Sequence, residues 1–161
     1  MLVKMMAVLA VVSCMFVTSG KDDATEVKAE LKDVKCLLMP KKEVKETFSV
    51  DYMDAKVYFC CKGCVGKFSK SPDKYATLAN HQLVQTKLFK QTGCPISGGD
   101  LDPATEIEVN GVKVQFCCNN CKAKADAMKT DAEKAELVFS KDAFKKGFAK
   151  VEAKKTEESA K

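Results

Sequence analysis

The chain has 161 residues with nine cysteines, one histidine, no tryptophan and no arginine, and its formal charge is +5. That length holds one ordinary domain or two small ones. The positive charge rests on lysines interleaved with Glu and Asp, and without arginine forks for phosphate or guanine this composition argues against a nucleic-acid partner.

Lys4 and the apolar run from Met5 to Val17 have the form of a signal-peptide core, too short to span a bilayer as a helix. Residues 1–20 are therefore expected to be a signal peptide and the protein to be exported, to a periplasm or cell envelope. Two cleavage readings fit. "VVSC" at 11–14 resembles a bacterial lipoprotein box, in which Cys14 carries a lipid that anchors the protein to the membrane. An ordinary signal peptidase site at Thr18, Ser19 and Gly20 is the other, and "MFV" directly after Cys14 prolongs the apolar run and counts against the lipid. Setting Cys14 aside leaves eight cysteines, four in each half of the remaining chain.

After Cys36 and a loop comes "FSVDYMDAKVYF", an alternating apolar pattern that predicts a hairpin turning at Met53-Asp54. It runs into "FCCKGC", residues 59–64, and then into "VGKFSK", which has helical character. Ser71-Pro72 predicts a further helix start, Ser71 capping and Pro72 at the first helical position, with Tyr75 and Leu78 on the buried side. Leu83 to Phe89 fits strand and helix equally. His81, the single histidine, is expected at the surface or as a cap rather than as a ligand.

Cys94 opens a second pass through the same order. Gly98-Gly99-Asp100 reads as a turn. "EIEVNGVKVQF" at 106–116 alternates about Asn110-Gly111, a strong signal for a turn with two positive φ angles. It runs into "FCCNNC" and the helical "KAKADAMK". Cys60, Cys61 and Cys64 recur as Cys117, Cys118 and Cys121 at an offset of 57 residues, and Val50, Val57 and Phe59 fall on Ile107, Val114 and Phe116. Cys36 and Cys94 are 58 apart, so the first copy carries one extra loop residue. Matching apolar positions as well as cysteines indicates two copies of one module, at 34–90 and 91–153. Phe144, Phe148 and Val151 predict an amphipathic helix over 141–153, followed by a disordered tail at 154–161.

A module of about 50 residues buries too little apolar surface to offset chain entropy and needs a staple. The cysteines supply it as metal ligands or as disulfides. Cys60 with Cys64, and Cys117 with Cys121, stand at i and i+4 across a helix start, so both thiols of each pair can face one point that Cys36 or Cys94 reaches from the far end of the hairpin. A helix N-terminus also favours thiolate. Cys61 and Cys118 are candidate fourth ligands, or they form C-x-x-C pairs with Cys64 and Cys121. Met39, three residues after Cys36, offers a soft thioether. Against metal stands the oxidising environment of an exported protein, which favours disulfides. Thiol–disulfide exchange is a third reading, although thioredoxin-like chemistry goes with a βαβ setting and not with hairpins. One histidine and no carboxylate pair leave hydrolase chemistry unsupported.

Cys94, Cys117 and Cys121 with a hairpin between them, in "CPISGG" and "VNGVKVQFCCNNCKAKAD", resemble the TRASH and YHS family of small cysteine modules found in exported bacterial proteins. The likeness is good over 94–126 and weaker over 36–69, where "CLLMP" replaces "CPISG"; neither copy has a second ligand two residues after its first cysteine. The resemblance implies heavy-metal binding or trafficking, with zinc or copper(I) as cofactor; with no catalytic set among the residues, no catalysis is expected. The expected fold class is α+β, two treble-clef or zinc-finger-like modules, each a hairpin followed by a helix, plus a C-terminal amphipathic helix.

Overall fold

The computed structural model describes residues 27–152. The expected signal peptide with Cys14, and the expected tail, lie outside the described residues. Strand β1 (Lys35–Cys36) pairs with β2 (Met39–Glu43), and β3 (Lys45–Tyr52) with β4 (Ala55–Phe59). Helix α1 (Lys62–Lys70), a 3₁₀ turn at Pro72–Tyr75 and α2 (Ala76–Gln85) follow. Then come β5 (Phe89–Gln91), the hairpin of β6 (Asp102–Val109) and β7 (Val112–Phe116), and helices α3 (Asn119–Asp126), α4 (Asp131–Phe139) and α5 (Lys141–Gly147). Strand β8 (Phe148–Lys150) closes the described chain against β5. The architecture is α+β, with small antiparallel hairpins running into helices.

The two central hairpins have the same bounds 57 residues apart, Lys45–Tyr52 with Ala55–Phe59 and Asp102–Val109 with Val112–Phe116. Their ladders are also interrupted at matching places, after Lys45 and after Asp102. Asn110 (φ 50°) and Gly111 (φ 81°) take the left-handed turn that their types favour. Met53 (φ 51°) and Asp54 (φ 58°) adopt the same turn without a glycine, so the register of the strands and not the turn residues sets this conformation.

One apolar core runs through both halves. Phe68 of α1 meets Phe59 at 5.3 Å and Tyr52 at 5.7 Å between ring centroids, closing the first hairpin. Phe116, Val109 and Val114 line the second and are fully buried. Between them lie Leu83, Phe139 and Phe144, and α2 packs on α4 with Asn80 Nδ2 donating to the Phe139 carbonyl at 2.8 Å. His81 is half-buried, its ring 5.0 Å from that of Phe139 and its Nε2 3.1 Å from the Asn110 carbonyl, so it bridges α2 to the second hairpin turn at the surface. Burial pushes its imidazole below the ordinary range, against the opposing backbone of Asn110 and Val109.

Several expectations change. Pro72 does occupy the first turn, but the Ser71 side chain makes no capping bond and Leu78 is 40% exposed. The opening 3₁₀ turn shifts the phase of the helix, and α2 buries Ala76, Ala79, Asn80 and Leu83 at i, i+3, i+4 and i+7. The ambiguous stretch from Leu83 divides, ending the helix at Gln85 and starting a strand at Phe89.

The helix expected over 141–153 stops at Gly147; residue 153 lies outside the described residues. The Gly147 carbonyl accepts from Thr92 at 2.8 Å and Gly93 at 3.1 Å, and a Cβ there would lie 2.9 Å from the Gly93 oxygen and the Pro95 Cα. Backbone packed on backbone, continued by the β5–β8 ladder and Val151 N–H to the Leu88 carbonyl at 2.9 Å, outweighs the helical spacing of Phe144 and Phe148. Helix α4 was not anticipated, yet Thr130 and Glu133 form a reciprocal capping box whose T-x-x-E pattern is readable in the sequence.

Candidate metal centres: two cysteine clusters

Each cluster is assembled from three pieces of chain. In the first, Cys36 ends β1 and faces Met39 across a tight turn, Cys60 follows β4, Cys61 stands at the N-cap of α1 and Cys64 lies in its first turn. In the second, Cys94 sits in a turn closed by its own N–H to the Gly99 carbonyl (2.9 Å) and the Gly98 N–H to its carbonyl (2.7 Å), with Gly98 at φ 78°. Cys117 follows β7, Cys118 is the N-cap of α3 and Cys121 lies in its first turn. The hairpins do the positioning: each carries the chain away from its first cysteine and returns it beside that cysteine.

Two sets of sulfurs result, Cys36 with Cys60 and Cys64, and Cys94 with Cys117 and Cys121, and in each the sulfurs lie within 4.8 Å of one another. Either set can hold a metal ion. A tetrahedral ion bound at about 2.3 Å spaces its sulfurs about 3.8 Å apart. The Cys60–Cys64 separation is 3.8 Å and the Cys117–Cys121 separation 3.7 Å. The middle cysteines border these sets, Cys61 Sγ 3.7 Å from Cys64 and Cys118 Sγ 3.7 Å from Cys117. No disulfide joins any of the eight described cysteines. Five of the six triad cysteines are buried, and Cys117 is half-buried.

The electrostatics repeat as well. Burial pushes the Cys94 thiol up, but the Ser97 hydroxyl and the amides of Ser97, Cys117 and Ile96 more than offset it and bring it down to about 6. Cys36 is lowered in the same manner, burial opposed by the amides of Cys60, Leu38 and Met39. Cys61 and Cys118 are lowered by the first-turn amides of Cys64 and Gly63, and of Cys121 and Asn120. Cys64 and Cys121 go the other way, burial and the neighbouring thiols pushing each to about 12. Each cluster therefore pairs thiols whose amides favour the charged form with a buried thiol that needs a cation to ionise.

Within the described residues the cysteines predicted as metal ligands fall at these two places, and His81, not expected to be a ligand, belongs to neither set; Cys14 lies outside the described residues. Met39 Sδ stands 3.9 Å from Cys60 Sγ. Residues that the cysteine pattern did not point to also shape the clusters. Ser97 Oγ is 3.1 Å from Cys117 Sγ, and Gln82 holds the strand leading to Cys60 and accepts from and donates to Tyr58. Ser97 was findable as the residue aligned with Met39, three after the first cysteine; Gln82 carries no local signal.

No family model, curated protein or solved structure matches the chain. Among the described residues no helix is long and apolar enough to cross a membrane.

Proposed function

We propose that this is an exported protein that binds heavy-metal ions through cysteine thiolates, with a binding or trafficking role and no catalysis. The observation that carries the reading is the pair of triads, each with sulfurs within 4.8 Å and an i,i+4 separation matching the edge of a tetrahedral thiolate site. The amides aimed at Cys36, Cys61, Cys94 and Cys118 support it, since they stabilise the thiolates that a metal requires. Cys61 and Cys118 are the fourth ligands when the sites close around zinc. With three thiolates the same sites remain open for copper(I) exchange. The likeness to TRASH and YHS modules points the same way, and each hairpin with its helix would then be a treble-clef-like unit. The apolar segment from Met5 to Val17 supports export to a periplasm or envelope, with membrane attachment if Cys14 is lipidated.

The test is to purify the mature protein from its own compartment and count bound metal and reactive thiols before and after chelation. About two metal ions per chain, with thiols released by the chelator, is the expected result. No metal, and no thiols until a reductant is added, would mean that the cysteines are disulfide staples.

A further inference from the structure

Among the positions at which the two clusters differ, one places a different donor atom beside the thiols. Met39 and Ser97 each lie three residues after the first cysteine of their copy, Cys36 and Cys94. Met39 is held by the β1–β2 turn, where it pairs with Cys36, and its thioether sulfur stands 3.9 Å from Cys60 Sγ. Ser97 stands against the corresponding cysteine, Oγ 3.1 Å from Cys117 Sγ. The Gly99 N–H donates to that oxygen at 3.2 Å, which leaves the hydroxyl proton for a sulfur of this cluster, Cys117 or Cys94.

A thioether is a neutral, polarisable donor that favours Cu(I) and adds little to zinc. A hydroxyl that donates to a coordinated thiolate draws charge from the sulfur and offers a soft ion no additional ligand. Met39 is also 40% exposed, one of the few large apolar side chains that remain so, which places its sulfur at the mouth of a buried thiol set. A metal handed over by ligand exchange would meet that sulfur first.

We infer that the two sites take different classes of metal: Cys36, Cys60 and Cys64 with Met39 form a Cu(I) site, and Cys94, Cys117 and Cys121 beneath Ser97 form a zinc site. This rests on the cysteines being metal ligands. Binding releases thiol protons to solvent and moves no electrons, so copper enters as Cu(I).

The test uses the full mature chain, stripped of metal and kept reduced without oxygen. Cu(I) is titrated against a chromophoric Cu(I) chelator and Zn(II) against a fluorescent zinc chelator, with methionine methyls labelled for NMR. The first equivalent of Cu(I) is expected to shift the Met39 methyl resonance, whereas zinc leaves it in place. Met39→Ser should weaken the tighter Cu(I) equivalent about tenfold with zinc affinity unchanged, and Ser97→Met should strengthen the weaker one by a similar factor. Both positions are exposed, so neither variant disturbs the core. If Met39→Ser binds Cu(I) as the wild type does, or the methyl does not move, the division of the sites is wrong while the cysteine reading stands. A wild type that binds neither metal overturns both.

Discussion

Gln82 acts as an extra strand for Tyr58: its Oε1 accepts the Tyr58 N–H at 2.7 Å and its Nε2 donates to the Tyr58 carbonyl at 3.0 Å. Gln91 does the same in the second half, accepting the Gln115 N–H at 2.9 Å and donating to its carbonyl at 2.6 Å. Tyr58 and Gln115 correspond at the 57-residue offset, two residues before Cys60 and Cys117. In both halves a glutamine amide therefore pins the strand that delivers the first cysteine of the cluster. The two glutamines do not correspond, one lying on α2 and the other on β5, so the same need is met from different elements.

Gln82 is fully buried and also reaches the Lys35 carbonyl at 3.3 Å, beside Cys36. Replacing it with alanine strips buried backbone groups of their bonds and opens a cavity, a loss of about 2–3 kcal/mol. Gln91→Ala, at a half-buried position, should cost about 1 kcal/mol. Urea unfolding of the two variants measures the difference. Equal midpoints would show that the amide contacts are not what holds the first strand.

Gly147→Ala tests the join between the end of α5 and the chain just after β5. The added Cβ would sit 2.9 Å from both the Gly93 oxygen and the Pro95 Cα, backbone atoms that cannot move aside singly. The expected cost is about 1–3 kcal/mol, with weakened pairing of β5 and β8. Amide exchange at Phe89 to Gln91 reports that pairing directly; unchanged protection there would mean that backbone packing at Gly147 is not what ends α5.

The cysteine repeat and its hairpins were legible because they are local: spacing, alternation and Asn110-Gly111 all lie within short windows. What was not legible depends on residues distant in sequence. Phe148 has helical spacing from Phe144 but pairs with Gln91, and nothing near Phe148 announces that partner. Leu78 fits an apolar helical face until Asn80 and Gln82 take the inside, each because a backbone group elsewhere needs its amide. In the clusters the meeting of three cysteines and the soft thioether of Met39 were readable from spacing, whereas the part played by Ser97 emerges only once it is seen against a thiol.

The middle and last cysteines separate by substitution. Cys121 is buried and belongs to the close set with Cys94 and Cys117, while Cys118 is half-buried and borders it. With zinc bound, Cys121→Ser should lower Tm by at least about 5 °C more than Cys118→Ser, and should lose the second metal equivalent. Equal shifts would make Cys118 as much a ligand as Cys121.

Without metal the cysteines impose an opposed pH dependence. Cys94, brought down to about 6 from 9.0, contributes stability that is present above pH 9 and lost as pH falls through 6. Cys64 and Cys121, raised from 9.0 to about 12, contribute stability that is present below pH 9 and lost as pH rises toward 12. Metal-free stability from these groups should therefore climb from pH 6 to 9 and decline above it. Cys94→Ser should shrink the lower limb, to which Cys36, Cys61 and Cys118 also contribute, and soften the upper one, because Cys94 helps to raise Cys121; saturating zinc should abolish the upper limb, because the bound thiols are already ionised. Chemical unfolding across this range, with and without zinc, gives both limbs.

Metal removal distinguishes a staple from a local clamp. If each half depended on its own site, as a unit of about 50 residues would, chelation should unfold the whole chain. The packing argues otherwise: Leu83, Phe139 and Phe144 are fully buried in one core shared by both halves, and Asn80 ties α2 to α4. Chelation should instead release the ends of the hairpins. Amides at Cys61 to Cys64, Cys94 to Gly99 and Cys118 to Cys121 are expected to exchange at least about tenfold faster in the metal-free protein, with α2 and α4 within about twofold of the loaded state. Loss of protection in α2 and α4 together with the cysteine turns would mean that the shared core cannot stand without its metals.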